Sequence, residues 1–356
     1  MTVRSAGKHR KSRPAGQPWG GSRRWAGLLA PVLAAATAVT LAGGISPAAA
    51  QPNPNTVVTV GGDPQGVAVD PDGKHAYVTS YSDNVVRVID TATEKVVGSI
   101  GVGTGPRGVA VDPDSRHAFV TNHAENSVSV IDTANGKLIR NVPVGRNPAS
   151  VAVFPRDHYA LVTNFYGNSV SVINSKTLEL IGEVPVGAAP DGIAIDPRGE
   201  FAYVVNSGSN NVTVIDIKAQ QVVRTVLVGR APQKVAIDPD GRHAYVTNFG
   251  DHTVSVIDLP SQVGMDLYNA LLRVNTIPVG INPRGLAVDR ASHHAFVVNV
   301  ADETMNVIDT EGGRVIDTKF VGFSPDEVAV APDGTAYVTA RGDGTVTVIH
   351  PDERAS

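Results

Sequence analysis

Residues 229–258 read GRAPQKVAIDPDGRHAYVTNFGDHTVSVID, and most of the chain is built on this plan. Three short runs rich in β-branched residues lie inside it: Val235 to Asp238, His243 to Asn248 and Val254 to Asp258. Pro, Gly, Asp and Asn separate them, the composition of strands joined by tight turns. Working outward, Pro232 has counterparts at Pro64, Pro106, Pro148, Pro190, Pro283 and Pro325, spaced by 42 residues except for a gap of 51 after Pro232. A Gly stands three residues before each marker (Gly61, Gly103, Gly145, Gly187, Gly229, Gly280, Gly322), and an Ala four residues after it, from Ala68 to Ala329. A fourth run, such as Lys137 to Val144, closes each unit. The regular units carry no helical apolar period.

Four short antiparallel strands per unit of this length define a propeller blade, which buries its faces only by stacking on neighbours. The expected fold is therefore all-β: a seven-bladed β-propeller over residues 55–350, with four strands per blade. Crowding of the innermost strands near the axis accounts for the Ala on each first strand. The second strand repeats an Ala too, from Ala76 to Ala336, and the third repeats Val-Ile, from Val88-Ile89 to Val348-Ile349. Asn55 to Val60 matches the end of a fourth strand but precedes the first unit, and the last unit stops after its third strand at His350. The N-terminal segment should complete the last blade, which removes two open sheet edges.

The second strands carry a recurring motif, whole as Tyr245-Val246-Thr247-Asn248 and nearly so as Phe119 to Asn122 and Leu161 to Asn164. It continues as Tyr77 to Ser80, Tyr203 to Asn206, Phe296 to Asn299 and Tyr337 to Ala340, with Ser80 and Ala340 replacing the Asn. In these residues the chain resembles the YVTN-type β-propeller repeat family, over essentially all of 55–350. The resemblance implies a seven-bladed fold in an exported or surface-displayed protein. It implies no reaction, because function lives in sites placed on folds.

Residues 1–50 read as an export signal. Arg4, Lys8, Arg10, Lys11, Arg13, Arg23 and Arg24 give a basic segment, Trp25 to Ile45 is uncharged, and Ala48-Ala49-Ala50 offers a cleavage site before Gln51. Ser22-Arg23-Arg24 leaves both the general secretory and the twin-arginine routes open. The alternative, an uncleaved anchor, is disfavoured by Gly43-Gly44 and Pro47. Short tails are expected at 51–54 and 351–356, and no stable membrane span after cleavage. The expected location is secreted or cell-envelope, and the expected state a monomer.

Beyond residue 50 the chain has 23 Lys+Arg against 34 Asp+Glu, a net charge of −11. That argues against duplex nucleic acid as a partner, since such affinity rests on many phosphate contacts. With no Cys, disulfides and thiolate chemistry are excluded.

Strand order puts the loops before first strands and after second strands on one face, here called upper. The residues after the marker prolines should face the axis: Gln65, Arg107, Ala149, Asp191, Gln233, Arg284 and Asp326. The next position is Gly in four blades but Ser150, Lys234 and Glu327 in the others. Loops after the second strands add Tyr81, His123, Phe165, Tyr166, Phe249 and Arg341. Side chains that vary on a repeating frame suit a ligand face, and Arg and aromatics favour a protein, peptide or glycan. The candidate binding set is Gln65, Tyr81, Arg107, Phe165, Tyr166, Asp191, Gln233, Lys234, Phe249, Arg284, Asp326 and Arg341. His123 and Glu125 form the best acid–base pair, short of a full catalytic set. The reading is thus a non-enzymatic binding scaffold; the rival is an extracellular propeller lyase or lactone hydrolase with an axial polar site. No cofactor and no metal site are expected. The lower-face DPDG segments read as turns rather than calcium loops. Neither Arg341-Gly342-Asp343 nor the sequon Asn211-Val212-Thr213 is given a role.

Overall fold

The computed structural model describes residues 55–154, 158–259, 272–289, 291 and 293–351. Residues 1–50, expected to be an export signal, the tail at 51–54, most of the fifth-unit insertion (260–271) and residues 352–356 lie outside them. Among the described residues no helix is long and apolar enough to cross a membrane.

The strands form seven antiparallel sheets of four. Six blades use consecutive strands. The seventh runs Thr56–Thr59, Thr345–Ile349, Ala336–Ala340, Pro325–Val330. The N-terminal strand pairs Thr56 with Val348 and Thr59 with Thr345, and Gly344 O accepts from both Val60 N and Gly61 N at 2.9 Å. The chain is a seven-bladed β-propeller closed by its strand Thr56–Thr59.

Packing between blades follows one rule. The small second-strand residue of each blade meets the large one of the blade before it: Ala118 lies with Tyr77, Ala160 with Phe119, Ala244 with Tyr203 and Ala336 with Phe296. All seven of these Ala residues are fully buried, whereas the first-strand Ala68 to Ala329 are only half-buried. The tightest fit is therefore between second strands, not at the axis. Alternating large and small side chains lets neighbouring sheets interdigitate without voids. Isoleucines of the third strands, such as Ile89, Ile131 and Ile257, complete each core.

The Thr and Asn of the repeated motif are structural. Thr121 Oγ1 accepts from Gly108 N (2.8 Å) in its own blade and donates to Ala149 O (3.0 Å) in the next. Thr79, Thr163, Thr247 and Thr339 make the same bridge to Arg107, Asp191, Arg284 and Gln65 carbonyls. The last of these joins blade seven to blade one. Asn122 Nδ2 donates to Ser127 and Ser129 hydroxyls at 2.9 Å, holding the second strand to the third. Gly108 shows why this position favours glycine: a Cβ there would come 2.7 Å from Ala149 O.

Every blade carries a β-bulge just after its marker proline, as between Pro106 and Val109. A bulge re-aims the side chains beside it. Here it falls on the residues that meet at the upper mouth of the ring.

Candidate functional site

Three ion pairs close the upper mouth. Arg107 Nη2 donates to both Asp191 oxygens (3.0 and 2.7 Å), joining blade two to blade four. Blade three contributes the small Ala149 at the same position, so its side chain does not obstruct that reach. Lys234 of blade five meets Glu327 of blade seven. Arg284 Nη1 lies 2.6 Å from Asp326 Oδ1. Three cations thus offset three carboxylates. The space left among Gln65, Arg107, Ala149, Lys234, Arg284 and Glu327 is about 10 Å³, room for no more than one water. Burial alone would raise the Asp191 carboxyl, but Arg107, Lys234 and Arg284 together hold it below the usual carboxylate range.

Around this plug the remaining candidates divide by sector. Arg107 Cζ lies 6.0 Å from the Phe165 ring centroid, and Phe165 meets Tyr166 edge-on at 5.1 Å. Tyr166 is 60% exposed, so this pair presents apolar surface beside a paired cation. His123 joins the same sector, its Nδ1 3.1 Å from Pro148 O. Burial, then the Arg107 charge, lowers its pKa and favours the neutral ring. Glu125 serves another part of the loop: it accepts from Thr104 N (2.8 Å) and Asn141 Nδ2 (3.2 Å). The two residues of the proposed acid–base pair therefore make hydrogen bonds to different partners.

Arg341 Nε lies 2.7 Å from Asp63 Oδ1, tying blade seven to the loop entering blade one. With Arg284, Val300 and Asp326 they line a cavity of about 350 Å³. Gln65 Nε2 lies 3.5 Å from Asp63, and Gln233 Nε2 donates to Ser207 Oγ at 3.2 Å. The ring of Tyr81 packs on Gly105, and Phe249 is half-buried with its carbonyl accepting from Asn282 Nδ2 (3.2 Å). Asp343 caps Phe323 N at 2.8 Å, so both charged ends of the Arg-Gly-Asp tripeptide are engaged within the fold. Asn211 lies in a strand and accepts from Asn206 Nδ2 at 2.8 Å.

Glu327, which the candidate set omits, is part of the plug. Its signal was visible: it stands where four blades have Gly, as does its partner Lys234. On the lower face, His75, His117 and His243 each meet the Asp of their own turn at 2.9–3.1 Å. Among the described residues no group of three or more His, Asp or Glu converges as a metal site.

The comparisons with known proteins agree with this architecture. Residues 93–232 match the family described as lactonase, 7-bladed beta-propeller, and residues 188–356 match the cytochrome D1 heme domain. Hydrazine synthase of Kuenenia stuttgartiensis is similar in structure, with a TM-score of 0.73 and 22% identity over 81% of this chain and 95% of that one. The propeller domain of Cps50 (Swd1) from Myceliophteria thermophila reaches a TM-score of 0.73 at 12% identity, over 83% and 99% of the two chains. A functionally unknown protein from Desulfotomaculum acetoxidans reaches 0.65 at 18%, over 82% and 90%. At such identities the likeness is one of fold. No curated protein sequence matches.

The second family match raises the question of a haem, and the axis does not fit one. The plug leaves no room at the upper mouth. The larger cavity at the lower mouth, about 560 Å³, has among the described residues no His, Met or Tyr in its lining to ligate iron.

Proposed function

We propose that the protein is an exported, non-enzymatic binding scaffold of the YVTN type, which captures a polar peptide or glycan at its upper face. Residues 1–50 act as the export signal, and the mature chain begins at Gln51. The observation that carries this reading is the neutralised plug: the buried charges at the axis offset one another, while Phe165 and Tyr166 stand beside them. Aromatic side chains next to Arg are the anchors most used in recognition, and a flat ring with a polar tip suits a sugar or a peptide turn.

Arg107 and Arg284 are poor places to test binding, because truncating either strands a buried carboxylate. Tyr166→Ala with Phe165→Leu leaves the plug intact. Titrated against a panel of soluble oligosaccharides and polar peptides, the double variant should lose about tenfold or more of the parent's affinity, since hot-spot aromatics contribute about 2 kcal/mol or more. Its melting temperature should stay near the parent's. Changes at Asp72, Asp114 and Asp240 should not alter capture. Retention of every ligand by the aromatic variant would remove this reading.

A lactone hydrolase is the second reading. It is favoured by the lactonase-family match over 93–232, which contains Arg107, His123 and Asp191, and by the neutral His123 available as a base. A lactone panel decides it: turnover that His123→Gln abolishes would establish the enzyme and displace the scaffold.

A further inference from the structure

The turns between first and second strands follow a rule from which blades three, four and seven depart. In blades one, two and five the Asp opening the turn meets the His that begins the second strand, through Asp70–His75, Asp112–His117 and Asp238–His243. Blade three has Phe154 and blade seven Ala331 at the Asp position, so neither has the carboxylate. Blade six keeps both residues, though among the described residues His294 Nδ1 has no hydrogen-bond partner. Blade four keeps the Asp but has Phe201 at the His position. Asp196 of blade four therefore faces no imidazole. Its Oδ1 accepts from the backbone amides of Glu200 (2.8 Å) and Phe201 (3.1 Å). Burial pushes its carboxyl above the usual range, despite the opposing pull of these amides, Gly199 and Arg198.

Phe154 and Asp196, from adjacent blades, adjoin the lower mouth of the ring. A cavity of about 560 Å³ opens there, with Ala152, Val153, Phe154, Ile195, Ile237 and Val288 in its wall and Asp196 in its lining. Phe154 reaches over the blade-four turn so closely that a Cβ on Gly199 would come 1.9 Å from its ring. Asp196 also lines a second cavity of about 230 Å³, beside Phe201 and Tyr203. The larger volume is that of a small-molecule site, which typically combines apolar walls with a few placed polar groups. Asp238 lines it too, but its Oδ2 is engaged by His243 at 2.9 Å. Asp196 is thus the carboxylate whose ring partner the repeat has removed.

We propose that the lower mouth binds an arylalkylammonium ligand, with its apolar body against Phe154, Ile195 and Ile237 and its cationic nitrogen paired with Asp196. The bound cation would supply the partner that His gives in blades one, two and five. A charge-assisted hydrogen bond would then stabilise a carboxylate that burial disfavours. The apolar wall alone would accept an alcohol of the same shape equally well; Asp196 makes the difference between them. This site is independent of the upper face.

Calorimetric titration of the mature protein near pH 7 with 2-phenylethylammonium, 2-phenylethanol and phenylacetate tests the proposal. The ammonium ion should bind about tenfold or more tightly than the alcohol, as a charged hydrogen bond implies, and phenylacetate should be rejected. Asp196→Asn removes the charge at constant shape, and Phe201→His restores the residue the repeat uses elsewhere. Each should weaken the ammonium ion about tenfold and leave the alcohol unchanged. Tyr166→Ala should alter neither. Melting curves identify any variant that fails to fold, and the other variant and the three-ligand comparison then decide. Equal binding of ammonium and alcohol, no ammonium binding at millimolar concentration, or folded variants that bind like the parent would each overturn it.

Discussion

Thr121 and Val205 occupy the same place in their blades, and the difference between them isolates one interaction. The Thr hydroxyl joins Gly108 N to Ala149 O across the blade boundary, while Val205 and Val298 leave the corresponding boundaries without that bridge. Thr121→Val should cost about 1–3 kcal/mol, because it leaves a buried amide and carbonyl without their shared partner. Val205→Thr should run the other way. Burying a hydroxyl normally destabilises, yet here Gly192 N and Gln233 O stand at the positions that the Thr-bearing blades bridge. Denaturant melting of both variants checks the pair; a loss in Val205→Thr as large as that in Thr121→Val would show that the bridge has no net worth. The motif's letters were legible as a repeat, but their purpose was not. Nothing in Tyr-Val-Thr-Asn says that its Thr contacts the following blade, because that contact exists only once the ring has closed.

Closure itself was readable at the level of the element. Asn55 to Val60 resembled a fourth strand in the wrong place, and a sheet with an open edge needs a partner. The structure adds what the strand contributes besides hydrogen bonds. Val58 and Val60, 6% and 3% exposed, pack with Val67, Ala76 and Ile89 of blade one, so the segment belongs to the seam that joins the ends of the chain. Deleting 55–60 should expose the Thr345–Ile349 edge and open that seam, lowering the melting temperature sharply and promoting aggregation. Val58→Ala, a smaller cut, should cost about 1–3 kcal/mol by losing buried methyl groups. Unchanged melting of the deletion would mean that blade seven does not need its fourth strand. The candidate site was less legible because its pairing is not an element property. Arg107 and Asp191 are 84 residues apart and lie on blades that are not neighbours. Their positions were expected at the axis, but which cation would meet which carboxylate depends on the diameter of the ring and on the small Ala149 between them.

For the whole molecule, the charges at the axis and the phenols between blades set the pH range of stability. Asp191 has its pKa depressed in the folded ring, so it contributes stability above the ordinary carboxylate value of 3.8 that is lost as pH falls through the folded value. On the alkaline side, burial and then nearby carboxylates push Tyr77 and Tyr245 up to about 12, and Tyr203 and Tyr337 are raised as well. Unfolded chains ionise Tyr near pH 10. That contribution is therefore complete below about pH 10 and lost as pH rises toward 12. Stability should show an acid limb below about pH 4 and an alkaline limb above about pH 10. Variants at the plug separate these limbs. Asp191→Asn leaves Arg107 buried without its counter-ion and should cost about 3–5 kcal/mol at neutral pH. The double change Arg107→Met with Asp191→Leu removes both charges and should recover much of that loss, since apolar replacement of a buried pair is often neutral or stabilising. It should also reduce the acid limb while leaving the alkaline one in place. If the double variant is as unstable as Asp191→Asn, the pair supports the ring by geometry that apolar side chains do not reproduce, and the charge-balance account of the plug is wrong.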